Sequence, residues 1–111
     1  MATIYKVLGQ VAATPTIETP LYTVPALKSA VVSSITVANR SSTVVSNFRI
    51  SIAVGGAVTS TKDYIYYGVL IGQNDTFIAT VGLTLSAGDE LRVWSSTGSS
   101  LSFQAFGSEI S

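Results

Sequence analysis

Few residues in this sequence are able to do chemistry. Among its 111 residues there is no histidine and no cysteine. Ser-His-Asp and Cys-His nucleophiles, thiolate metal sites and disulfides are therefore excluded. The commonest general base is missing too. A serine activated by Lys6, Lys28 or Lys62 is formally open, but 29 Ser and Thr residues make any such pairing unspecific. A carboxylate pair for glycoside chemistry needs two of Glu18, Asp63, Asp75, Asp89, Glu90 and Glu109 facing each other across a cleft. Asp75 and Asp89 stand in turn sequences, where aspartate satisfies backbone donors. Asp89-Glu90 is the only adjacent acidic pair, and it lacks the spaced partners of a calcium loop. Gly55-Gly56 is not followed by a helical pattern, so it is not a phosphate loop. Asn39-Arg40-Ser41 and Asn74-Asp75-Thr76 match the glycosylation acceptor pattern, expected to be a chance match in a Ser/Thr-rich chain for which no secretory signal is expected. Trp94 with Arg92 is the one candidate for a sugar-stacking platform. No catalytic residue, cofactor or metal site is expected.

Charge narrows the partners. Six Lys+Arg balance six Asp+Glu, and charged residues are 11% of the chain, against about 25% in an average domain. No basic stripe is present to follow a phosphate backbone, so no nucleic-acid partner is expected. No polybasic cluster is present to hold an anionic membrane. The most apolar run, Tyr64 to Ile71, contains Gly68 and falls far short of the ~20 residues of a membrane span. Met1 to Lys6 has no basic stretch followed by an apolar one. The expectation is a soluble protein of the cytoplasm, or of an assembly built there. Hydrophobic residues make up 47% of the sequence, and a small domain cannot hide them all. An uncharged surface favours association. The composition is that of a subunit in a packed assembly.

The elements are strands. Phe48, Ile50, Ile52 and Val54 alternate with Asn47, Arg49 and Ser51, the pattern of a half-buried strand. Val31, Ile35 and Val37 are placed on one face of another strand, with Val32, Ser34, Thr36 and Ala38 opposite. Ile4 to Leu8, Leu21 to Val24, Tyr64 to Ile71, Thr76 to Leu85, Leu91 to Ser96 and Leu101 to Phe106 complete about eight strands. Gly55-Gly56, Asn39 to Ser42, Ser86 to Asp89 and Thr97-Gly98-Ser99 read as turns. No helical period is sustained. The expected fold is all-β: a single β-sandwich of about eight antiparallel strands, jelly-roll or immunoglobulin-like. Pro15, Pro20 and Pro25 punctuate the start of the chain. Residues 1–20 are therefore expected to form an N-terminal strand and extended arm, with Leu21 to Val24 as an edge strand and residues 21–111 as the sandwich.

Tyr64 to Ile71 departs from simple alternation. Tyr64, Tyr66 and Leu70 fall on one face, and Ile65, Tyr67, Val69 and Ile71 on the other. Both faces are apolar, so both should be covered, one by the opposing sheet and one by a neighbouring subunit or the arm. Tyrosine suits an interface, since its ring favours burial and its hydroxyl tolerates a wet rim. Ile4, Tyr5, Tyr22, Tyr64, Tyr66, Tyr67, Trp94 and Phe106 are the candidate interface residues.

Several segments in order resemble small virion proteins of tailed phages, cyanobacterial ones among them. They are Tyr5 to Gln10, Leu21 to Ala26, Ala30 to Arg40, Phe48 to Ala53, Tyr64 to Tyr67, Asn74 to Phe77, Gly82 to Asp89 and Leu101 to Gly107. The resemblance spans nearly the whole chain. It implies a virion structural component and supplies no catalytic residues. A second resemblance covers about a quarter of the chain. Leu85 to Val93, with its Ala87-Gly88-Asp89 turn, followed by Ser102-Phe103 and Phe106-Gly107, is similar to the end of trimeric jelly rolls of the complement-head type.

Together these imply a non-enzymatic phage virion protein. First comes a capsid decoration (cement) protein, a homo-oligomer and by the second resemblance a trimer, that binds the major capsid protein and stabilises the shell. A tail, neck or fibre component is the alternative. A host-surface glycan-binding module that uses Trp94 is the third.

Overall fold

The computed structural model describes residues 2–96 and 100–111. Thr97-Gly98-Ser99, expected to turn, lies outside the described residues. Eight strands follow in order: β1 (Thr3–Ala12), β2 (Thr19–Thr23), β3 (Ser29–Asn39), β4 (Ser46–Ala53), β5 (Tyr64–Ile71), β6 (Thr76–Leu85), β7 (Glu90–Ser95) and β8 (Leu101–Ile110). The only helical pieces among the described residues are single 3-10 turns, Val54–Gly56 and Thr61–Asp63.

The strands form two antiparallel four-stranded sheets. Sheet A has the order β1-β8-β3-β6, and sheet B has the order β2-β7-β4-β5. β1 pairs with β8, β2 with β7, β3 with β6 and β4 with β5. The first half of the chain thus runs as a ribbon against the second half. That ribbon rolls up so that β8 also meets β3 and β7 also meets β4. This is a jelly roll, the first of the two sandwich topologies that the alternation allowed. The ends of the chain meet: Ala2 and Ser111 exchange both backbone hydrogen bonds at 2.9 Å.

The inner faces of both sheets supply the core. Ile35, Val37, Phe48, Ile50, Leu91, Leu101 and Phe103 are fully buried. Phe48 joins the sheets, with Phe77 at 5.2 Å and Phe103 at 6.2 Å between ring centroids. Such ring pairs contribute about 0.5–1.5 kcal/mol each beyond area burial.

Three expectations, two of them from simple alternation, are corrected. First, Val32 rather than Val31 joins Ile35 and Val37 inside. Ser33 is an extra residue against β8, and its hydroxyl donates to the Phe106 carbonyl at 3.0 Å. A bulge of this kind switches the face of every residue beyond it. Second, Gly68 is an extra residue in β5 at φ +68°. It sends Tyr66 inward, in line with Val69 and Ile71, and leaves Tyr67 and Leu70 outside. Third, the N-terminal segment is no free arm. β1 pairs along its length with β8, interrupted only at Leu8. Ala13 is buried and the Thr16 amide donates to the Ser95 carbonyl at 2.8 Å. β1 lies in the sheet opposite β5, so it does not supply the outer cover expected for that strand. β2 is the expected edge strand of sheet B.

Candidate functional site

The carboxylates expected to serve turns do so. Asp89 accepts from the Gly55 and Ser86 amides, each at 2.8 Å, and Asp75 accepts from the Thr76 amide at 2.8 Å. Among the described residues one Ser–Lys contact is present, from Lys62 Nζ to Ser60 Oγ at 3.1 Å. Asp63 lies 3.5 Å from the same ammonium, whose side chain is exposed. A nucleophile-activating lysine is desolvated instead. Among the described residues no three acidic side chains converge on a metal-sized point.

The functional candidates are surfaces, and the two outer faces differ sharply. On sheet A, β8 presents Ser102, Gln104, Phe106, Ser108 and Ile110 outward. The register places Val31, Ser34, Thr36 and Ala38 of β3 beside them. β1 adds Thr3, Tyr5, Val7, Gln10 and Ala12, and β6 adds Thr76, Ile78, Thr80 and Thr84. None of these residues carries a charge. Lys6, between Tyr5 and Val7, points to the other side of β1, where its Nζ lies 3.4 Å from Glu109 Oε1. Arg40 reaches only the rim, donating from Nε to Ser102 Oγ at 2.8 Å. Tyr5 and Ile78 are 85% and 66% exposed. Beside the Ser33 bulge the face dips into a hollow of about 560 Å³ between Tyr5, Val7, Val31 and Phe106, with Lys6 the one charged residue in its lining. A hydroxyl-rich, apolar sheet face without charge has little to lose on being covered, since no ion must be desolvated.

On sheet B the charges gather. Register brings Trp94 of β7 and Tyr67 of β5 to either side of Arg49 on β4. The Arg49 guanidinium lies 3.9 Å from the centroid of the Trp94 ring and 4.4 Å from that of Tyr67. Tyr64 meets Tyr67 edge-on at 4.9 Å. Nearby, Arg92 donates to Glu90 at 3.0 Å, to the Ala57 carbonyl at 2.7 Å and to Thr59 Oγ1 at 2.9 Å. These bonds tie residues 57–59 to the sheet. Between that loop and the two tyrosines is a cleft of about 410 Å³, lined by Thr59, Ser60, Thr61, Tyr64 and Tyr67.

The eight expected interface residues thus fall in three places. Tyr5 and Phe106 lie on the outer face of sheet A, with Ile4 exposed on its edge strand. Tyr64, Tyr67 and Trp94 lie on sheet B. Tyr22 is corrected to a buried position, and Tyr66 to the inner face of its sheet, partly buried against the core. Tyr66 packs on Phe77 at 5.4 Å. Tyr22 is 7% exposed and donates its hydroxyl to Glu109 Oε2 at 2.6 Å. Lys6 and Lys28 flank the same carboxylate at 3.4 and 3.6 Å. The Tyr22 hydrogen bond, aided by both lysines against the effect of burial, holds the Glu109 carboxyl below its usual range. Burial and the neighbouring carboxylate push the Tyr22 phenol well above its own. Trp94 is not an open platform, because Arg49 covers one face of its ring. Arg49 was legible only as a solvent-face residue of an alternating strand. Its neighbours come from two other strands, and only the register reveals them.

No family model, no curated protein and no solved structure matches the chain.

Proposed function

We propose that this chain is a non-enzymatic structural subunit of a phage particle, acting as a capsid decoration protein that binds the shell as a homo-oligomer. The virion part is supported by the ordered series of segments from Tyr5 to Gly107 that resemble small phage virion proteins. The assembly part is supported by one observation above all, the uncharged outer face of sheet A. Jelly rolls serve viral capsids and lectins alike, so the surface carries more weight than the fold.

The mechanism is geometric. Covering the face removes apolar area from water at roughly 25 cal/mol per Å². The interleaved Ser and Thr hydroxyls pair with a partner or with trapped water. Several such contacts made at once by an oligomer raise the effective affinity for a repeating shell.

The test is absolute mass by light scattering over a concentration series, for the native chain and for a Tyr5→Lys/Ile78→Lys double variant. The native chain is expected near three times 11.6 kDa. The double variant is expected to be a folded monomer. If the native chain is monomeric throughout and both proteins bind shells equally well, the proposal is wrong. Copy number then separates shell from tail, with hundreds per particle expected for a shell site.

A further inference from the structure

The outer face of sheet B holds a cation with no polar partner. Lys6 and Lys28 pair with Glu109, Lys62 with Asp63, and Arg92 with Glu90 and Glu18. Among the described residues Arg49 has no carboxylate within ion-pair distance and makes no hydrogen bond. Its Nε is buried and unpartnered. A buried donor in that condition is destabilising, and native structures rarely leave one so without a reason.

The stack explains what could accept. The guanidinium lies over the Trp94 and Tyr67 rings. With Nε enclosed, the terminal Nη edge is the part left for an acceptor, and a planar guanidinium edge fits a carboxylate with two parallel bonds. Tyr67 is shared: it packs on Arg49 and also walls the adjoining cleft. The rest of that lining is hydroxyl and aromatic, from Thr59, Ser60, Thr61 and Tyr64. Hydroxyls beside aromatic rings suit the polar edges and apolar faces of a sugar ring. A neutral sugar would leave the cation unanswered. A polyphosphate would need several unpaired cations, and beside this cleft Lys62 and Arg92 are already paired with carboxylates.

From this juxtaposition we propose that Arg49, Tyr67 and the Thr59–Tyr64 cleft form a binding site for a carboxylated sugar, of the uronic or sialic acid class. Arg49 takes the carboxylate, and the cleft takes the ring. The site lies on the sheet opposite the uncharged face, so it stands or falls independently of the assembly.

The experiment is an amide NMR titration of the full chain with glucuronic acid and with N-acetylneuraminic acid. Glucose, acetate and a short glutamate-rich peptide are run beside them. At least one acidic sugar is expected to bind in the millimolar range, with shifts centred on residues 49, 59–61, 64, 67 and 94. Glucose is expected to bind at least about tenfold more weakly, about 1.4 kcal/mol. Arg49→Gln, on the outer face of β4, and Tyr67→Ala, at an exposed position, are expected to keep the native spectrum elsewhere and to weaken the acidic sugar by a similar factor. The proposal is overturned if neither acidic sugar shifts these residues, or if glucose binds equally well. It is overturned too if Arg49→Gln binds as the native chain does. If acetate or the acidic peptide matches the sugars, the site reads a carboxylate alone and the sugar assignment is wrong.

Discussion

Glu109 is the residue on which pH acts most plainly. Its carboxylate accepts from Tyr22 at 2.6 Å and lies between Lys6 and Lys28. Its folded-state titration is shifted down and that of Tyr22 is shifted up. A lowered carboxylate contributes stability above its unfolded value, and that stability is lost as pH falls through the folded one. A raised phenol contributes stability below its unfolded value, about pH 10, and loses it as pH rises further. Thermal melts should therefore show a plateau between these limits, declining at both ends. Tyr22→Phe should lower stability by about 1–2 kcal/mol at neutral pH and flatten the alkaline decline; an unchanged alkaline limb would show that another group causes it. A second residue-scale effect needs no titration. A Cβ on Gly107 would fall on the Val31 carbonyl, which is backbone and cannot swing aside. Gly107→Ala should cost at least about 2 kcal/mol by overpacking, read as the shift in a urea midpoint.

At the scale of elements, bulges decide which alternating residues face the core. The strands, most turns and the edge position of β2 are legible in the sequence because period two and Gly, Asn and Asp clusters are local signals. Ser33 is not legible as a bulge, since a serine among valines gives no sign of an unpaired residue. Gly68 does give one, because an isolated glycine inside a strand marks a bulge or a close backbone approach. Read that way, it turns Tyr66 inward and Tyr67 outward, as the structure has them. β1 is the opposite case. Its edge position leaves most of its side chains exposed, so it lacks the strong alternation that would have tied it to the sandwich. The Arg49 stack assembles three strands through register, which no local pattern states. Gly68 gives a clean test. It stands at φ +68° with open space around a would-be Cβ, whereas Gly72 has the open space without the positive φ. Gly68→Ala should destabilise by about 1–2 kcal/mol through backbone strain alone. Gly72→Ala should be neutral or stabilising by up to about 1 kcal/mol. Equal effects in chemical denaturation would mean that the bulge does not need its glycine.

The molecule as a whole has one neutral side and one side where charges and aromatic rings meet. An association made through the neutral face should be nearly indifferent to salt, since its outward side chains carry no charge for counterions to screen. Sedimentation at low and at high ionic strength should give dissociation constants within about twofold of each other; a steep salt dependence would assign the contact to sheet B instead. The meeting of Ala2 with Ser111 has a consequence of another kind. β1 and β8 are neighbours in space and the most distant strands in sequence. Folding must close that longest of loops before the pairing stabilises anything, and such long-range closure slows folding. The chain is almost a circle. Sealing the existing ends with a short linker, and cutting at the exposed residues 42–44 instead, would make β1 and β8 a local hairpin. Stopped-flow refolding of such a permuted chain should be faster than that of the native order while the final structure stays the same.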